Sequence, residues 1–233
     1  MTPTTTGAAV PAQPDALRRP EFITFTGVDD STEASHLVEL ACAYPVEFGV
    51  LFSPKRQGIE PRYPKLTTIA WLVTNLPALR WAAHLCGGDA RDVIEHGGSK
   101  HDNMLRYFQR AQINTADPKV QPSLIGNWAA ERNLRAILQC RGDFPRVASV
   151  DVLFDASGGR GLTPRAWPAA NRTTFCGYAG GLRPENVAAA VADIGLQQVR
   201  YWLDMESGVR DEQDRFDINK CRAVCEAVYG APR

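Results

Sequence analysis

Phe175-Cys-Gly-Tyr-Ala-Gly-Gly-Leu-Arg-Pro-Glu-Asn-Val187 and Tyr201-Trp-Leu-Asp-Met-Glu-Ser-Gly-Val209 are the two stretches on which the fold turns. Each opens as a short apolar run, the pattern of a buried strand. The first then breaks at Gly180-Gly181 and the second at Ser207-Gly208. Pro184 stands where a helix is expected to begin, a position that tolerates proline because its missing N–H has no partner there. Glycines at a strand-to-helix junction let backbone N–H groups approach a ligand, and a helix start adds positive potential. Two such junctions in succession, last in the chain, form a frequent phosphate site in eight-stranded barrels. The alternative is two tight turns in which glycine serves conformation alone.

Upstream the same alternation of short strands and helical stretches repeats. Strands are expected over 22–26, 46–52, 79–86, 109–114, 135–140, 150–154, 173–178 and 199–203. Helices are expected over 33–43, 66–75, 90–96, 123–133, 184–194 and 214–229, with a further helical turn over 103–108. Asp29, Asp30 and Ser31 offer N-caps for the first helix and Asp89 for the third. Residues 143–149 are too few for a full helix. Alternation of this kind predicts a parallel α/β sheet, and eight strands followed by a last helix favour closure into a single (β/α)8 TIM barrel.

The 233 residues suit one such barrel. Residues 1–20, rich in Thr, Ala and Pro, read as a flexible tail before a barrel over 21–233. The tail lacks a basic head followed by an apolar segment, so no secretory signal is read there. Lys plus Arg and Asp plus Glu balance at 26 each, which gives no footprint for nucleic acid or an anionic membrane. No apolar run approaches the ~20 residues of a membrane span. The six cysteines contain no Cys-x-x-Cys and mostly lie in apolar runs, so reduced thiols in a cytoplasmic protein are expected. The histidines have no metal-ligand spacing, and neither a metal nor a cofactor is expected.

In a barrel the chemistry sits at the carboxyl ends of the strands. That places Thr26, Ser53, Cys86, Asn114, Arg141, Asp155, Gly180 and Asp204 at the candidate mouth.

At these positions the chain resembles the phosphoribosylanthranilate isomerase family. Ala179 to Val187 is similar to the family's Gly-Gly-Leu-x-Pro-Glu-Asn-Val run, and Asp204 to Val209 to its Asp-x-x-Ser-Gly-Val. Leu153-Phe-Asp155 with Gly158-Gly-Arg-Gly161 and Trp167 resembles its sixth-strand aspartate, Gly-Gly-x-Gly and tryptophan. Thr24 to Asp30 resembles its first strand, and Phe52 to Lys55 with Arg62-Tyr63 its second loop. The resemblance is specific in the last third and weak over about 65–148.

The resemblance implies an Amadori rearrangement, in which a general acid opens an aminoaldose phosphate and a base acts at the sugar C2. Asp155 matches the family's acid. Thr26 occupies the position of the family's cysteine base, and a threonine hydroxyl has no accessible anion without a base of its own. His84, Cys86, Asp29 and Asp30 are the candidates to compensate, with packing or helix capping as their alternative duties. Arg62 matches an arginine that binds a substrate carboxylate. Gly158, Gly159, Gly180, Gly181, Asp204, Ser207 and Gly208 match the ligand-binding loops. Arg160, Met205 and Glu206 replace smaller family residues. The implied partner is a phosphorylated small molecule, with no nucleic acid or membrane, bound by a monomer or homodimer. Two other readings stand beside it: a non-catalytic paralogue serving as a binding module, and a phosphate-binding lyase or aldolase. For the last, no lysine stands at a strand end.

Overall fold

The computed structural model describes residues 17–115, 117, 119–158, 160–170, 172–197 and 199–232. Its strands are β1 (Ile23–Thr26), β2 (Val46–Phe52), β3 (Trp81–Cys86), β4 (Arg110–Asn114), β5 (Arg135–Cys140), β6 (Asp151–Asp155), β7 (Cys176–Ala179) and β8 (Tyr201–Met205). Each pairs in parallel with the next, and β8 returns to β1 with Ile23 opposite Leu203, so the sheet closes into an eight-stranded barrel. The helices are α1 (Ala34–Ala43), α2 (Leu66–Asn75), α3 (Gly88–His96), α4 (Asp102–Leu105), α5 (Pro122–Ala130), α6 (Val187–Gly195) and α7 (Ile218–Tyr229). No helix among the described residues is long and apolar enough to cross a membrane.

Every residue of β2 is buried, as are those of β1, β6, β7 and β8. One face of each strand lies under the helices and the other fills the barrel, which is why these runs read as nearly continuous apolar sequence. The inward residues stack in layers drawn from alternate strands, the usual barrel arrangement. A basal layer takes Glu47, Arg110, Asp151 and Trp202 from β2, β4, β6 and β8. Arg110 donates to Glu47 Oε1 at 3.0 Å and to Asp151 Oδ2 at 3.4 Å, and its guanidinium lies 4.1 Å from the centre of the Trp202 ring. Thr24 also donates to Glu47 Oε1, at 2.8 Å.

Trp202 fits because β7 presents Gly177 beside it, where a Cβ would overlap the indole. Gly177→Ala is therefore expected to destabilise the fold by about 1–3 kcal/mol through overpacking. Urea denaturation measures it, and an unchanged midpoint would show that the indole has room to move.

Several expected boundaries shift for identifiable reasons. Leu17–Pro20 is not free tail: Arg18 N–H meets the Gly195 carbonyl and the Arg18 carbonyl accepts from Tyr201 Oη, at 3.4 and 2.9 Å. The rest of the expected tail, 1–16, lies outside the described residues. Neither Asp29 nor Asp30 caps α1. Asp29 instead closes the turn before it, accepting from Ser31 and Thr32, while Asp30 accepts from Lys65 N–H. Asp89 lies inside α3 rather than capping it, buried against Lys100 and His101. Pro184 lies in the turn before α6, which starts only at Val187, because Asn186 folds its amide back onto the loop. Asp214 does not start α7; the N-cap is Asp217, whose carboxylate accepts from the Asn219 and Lys220 amides.

Candidate active site

The layers above Trp202 are polar and line a cavity of about 90 Å³ at the carboxyl ends of the strands. Thr26 from β1, His84 from β3 and Asp204 from β8 meet there. Thr26 Oγ1 donates to Asp204 Oδ1 at 3.0 Å and lies 3.4 Å from His84 Nε2. A hydroxyl has a single proton to give. With that proton on Asp204, Thr26 Oγ1 is left to accept from the tautomer of His84 that carries its proton on Nε2. Gly49 of β2 makes the room: a Cβ there would stand 2.5 Å from Thr26 Oγ1 and 3.0 Å from His84 Nε2.

The arrangement sets the protonation of both ends. Burial, then the positive Arg110 below, pushes the His84 imidazole down to about 3, so the ring is neutral across the physiological range. Burial pushes the Asp204 carboxyl up to about 8; the Thr26 bond and Arg110 act against this, and Glu47 and Glu206 reinforce it. Asp204 Oδ2 is buried without a hydrogen-bond partner, 3.8 Å from His84 Nε2.

Asp155 ends β6 and lines the same cavity. Its Oδ1 accepts from the Ser157 amide at 3.1 Å and from the Ser157 hydroxyl at 2.7 Å, fixing the carboxylate at the rim. The Gly158 amide is occupied by the Asp155 carbonyl, 3.2 Å away, and the Arg141 guanidinium packs against Gly158. Gly159 lies outside the described residues.

The loops after β6, β7 and β8 interlock. Gly180 and Gly181 have φ of 121° and 60°, conformations that favour glycine. A Cβ on Gly181 would come within 2.5 Å of Thr163 N, and one on Gly208 would overlap the Leu182 carbonyl. Asn186 Nδ2 holds the Gly181 carbonyl at 2.8 Å, turning it away from the cavity. Among the described residues, the N–H groups of Gly180, Gly181, Leu182, Ser207 and Gly208 have no hydrogen-bond acceptor. All five residues line the cavity. A cluster of unsatisfied amides is the backbone form of an anion cradle. Ser207–Val209 forms one 3₁₀ turn rather than the start of a long helix.

Arg62 reaches the rim but is held by acids of this chain. It makes a two-pronged bond to Asp214, at 2.6 and 3.1 Å, and meets Glu206 Oε1 at 2.5 Å. Arg210 continues the network to the Gly27 carbonyl at 2.7 Å and Asp29 Oδ2 at 2.8 Å. Two of the other candidates for a base, Asp29 and Cys86, are disfavoured by their surroundings. Asp29 carries donors on both oxygens, from Ser31, Thr32, Arg210 and Phe216. Burial, only partly opposed by Asn114, raises the Cys86 thiol to about 12. All six cysteines are free thiols. Among the described residues no three His, Cys, Asp or Glu side chains gather as a metal site.

No protein-family model and no curated protein sequence matches the chain. Solved structures do. TrpF of Jonesia denitrificans superimposes with a TM-score of 0.63 at 17% identity, covering 90% of this chain and 97% of the other. A phosphoribosylanthranilate isomerase in complex with reduced 1-(o-carboxyphenylamino)-1-deoxyribulose 5-phosphate gives 0.61 at 15%, covering 89% and 98%. This chain shares their fold, a closed (β/α)8 barrel. A more distant likeness, 0.54 at 11% identity over 89% and 98%, is to 3-hexulose-6-phosphate synthase from Salmonella typhimurium.

Within that barrel, Thr26, Asp155, Gly180, Gly181, Asp204, Ser207 and Gly208 all come to one cavity. The sequence signal missed was the pairing of Asp204 with Thr26 and His84. The trace it left was the inward alternation of His84 with Ala82, and Gly49 in the strand between.

Proposed function

We propose that the barrel mouth binds a phosphorylated small molecule, a sugar phosphate adduct, and acts on it as an isomerase of altered chemistry. The five amides of the β7 and β8 loops that lack an acceptor among the described residues carry this reading: they offer an anion several donors at once without any side-chain charge. Asp155, pinned by Ser157 across the cavity, is then the carboxyl that faces the sugar ring oxygen. The small cavity leaves the rest of the adduct to the neighbouring groove of about 350 Å³, lined by Lys55, Arg56, Tyr63, Cys86 and Arg91. That groove offers cations which Arg62, already paired, does not.

Inorganic phosphate and ribose 5-phosphate are expected to raise the thermal midpoint, by about 5–10 °C at a hundred times Kd. Ser207→Glu, which adds a carboxylate at an exposed position lining the cradle, is expected to abolish the rise while leaving a cooperative transition. An equal rise in wild type and variant, or none in wild type, contradicts the reading. The engagement of Arg62 by Glu206 and Asp214 favours a second reading, a non-catalytic binding module built on the same cradle. Phosphate protection without any turnover is its expected signature.

A further inference from the structure

We propose that Asp204 is the base that works at the sugar C2, with Thr26 as its positioning residue. This rests on the phosphorylated-adduct reading above and goes beyond it by supplying the group that the first strand lacks.

The geometry carries the assignment. Thr26 spends its only proton on Asp204 Oδ1, at 3.0 Å. That fixes the carboxyl plane and leaves Oδ2 as the reactive atom. Oδ2 is buried and without a hydrogen-bond partner, in a cavity that also holds Asp155 and the glycine loops. A buried carboxylate oxygen without donors is costly to keep, and such cost persists where function requires it. Thr26 thus stands at the position of a base without being one; it aims the carboxyl of the adjacent strand.

The groups facing Asp204 come from every side. Thr26 on β1 and Arg110 on β4 favour its ionised form; Glu47 on β2 and Glu206, just past the end of β8, oppose it. His84 on β3 is neutral, 3.4 Å from Thr26 Oγ1, so it adds no countercharge. The carboxylate therefore gains basicity comparable to that of an ordinary thiol.

The step balances without a co-reactant. In the ring-opened adduct, C1 is an iminium carbon. Oδ2 takes the C2 proton; the C2–H pair becomes the C1=C2 bond and the C1=N pair moves to nitrogen. The resulting enaminol loses its O2 proton, C2=O forms, and C1 takes up a proton to give the aminoketose.

The test follows hydrogen exchange at C2 of N-phenyl ribosylamine 5-phosphate in D2O, alongside thermal protection by inorganic phosphate. Wild type is expected to exchange faster as pH rises, with a midpoint near pH 8 set by Asp204. Asp204→Asn should exchange about 10²–10⁴-fold more slowly, while phosphate still protects it. Thr26→Val removes a bond that favours the ionised form, so its midpoint should move up by about one pH unit, an effect that loss of packing alone does not produce. Wild-type protection with no exchange, exchange undiminished in Asp204→Asn, or an unmoved midpoint in Thr26→Val would each overturn the assignment. Absence of phosphate protection in wild type would instead overturn the binding reading beneath it.

Discussion

Asp204→Asn is expected to make the folded protein more stable at neutral pH, although it alters a buried position. Asp204 is raised from its ordinary 3.8 to about 8. An unfolded chain releases this proton near pH 4, whereas the folded chain keeps it until about pH 8. Between those limits the folded state binds more protons, so stability falls as pH rises through that window. The slope of 1.36 kcal/mol per pH unit makes the accumulated cost at pH 7 about 4 kcal/mol, as an upper figure. Asparagine can accept the same Thr26 bond and never ionises. The variant should therefore gain about 2–4 kcal/mol at pH 7 and little near pH 4. Urea denaturation at both pH values measures the difference; a variant less stable at both would show that the ionised carboxylate is well satisfied in the fold. The stability gained and the exchange lost by one substitution would identify Asp204 as a group kept for function at a structural cost.

Arg110→Met is expected to be the most damaging single change, at about 3–5 kcal/mol. Glu47 is fully buried and Asp151 nearly so, and Arg110 is the cation between them. Methionine replaces the stem but leaves two buried acids facing each other. The contact of the guanidinium with Trp202 is lost as well. Arg135 and Arg80, at 2.7 Å from Asp151 and 3.7 Å from Glu47, approach from the half-exposed rim and screen only part of the loss. Combining Arg110→Met with Glu47→Gln and Asp151→Asn should recover much of the stability, because the penalty comes from orphaned charge rather than lost volume. Thermal denaturation of the single and triple variants reads both effects; a single variant within about 1 kcal/mol of wild type would mean that water reaches the layer.

The barrel was legible because its strands are short, β-rich and punctuated, and because Gly180-Gly181 after β7 and Ser207-Gly208 after β8 mark two successive strand-to-loop junctions. The match of expected and observed strands over Val46–Phe52 and Arg135–Cys140 follows from that clarity. Helix starts were harder to read. Pro184 and Asp214 look like helix-opening residues, yet local bonds of Asn186 to its own loop and a tertiary bond from Arg62 to Asp214 go with loops at both. The interior polar layers were less visible still. Glu47, sitting in the run Val46-Glu-Phe-Gly-Val-Leu-Phe52, signals an inward charge by alternation, but its partner Arg110 lies two strands away. In the same way Thr26 reads as a lost base when taken alone. Closure of β8 onto β1 shows it instead as the donor that orients Asp204.

Amide NMR during a phosphate titration tests the anion cradle most directly. Saturable shifts concentrated at Gly180, Gly181, Leu182, Ser207 and Gly208, and absent in Ser207→Glu, are the predicted result. Shifts spread over surface arginines, or none at those five amides, would contradict it.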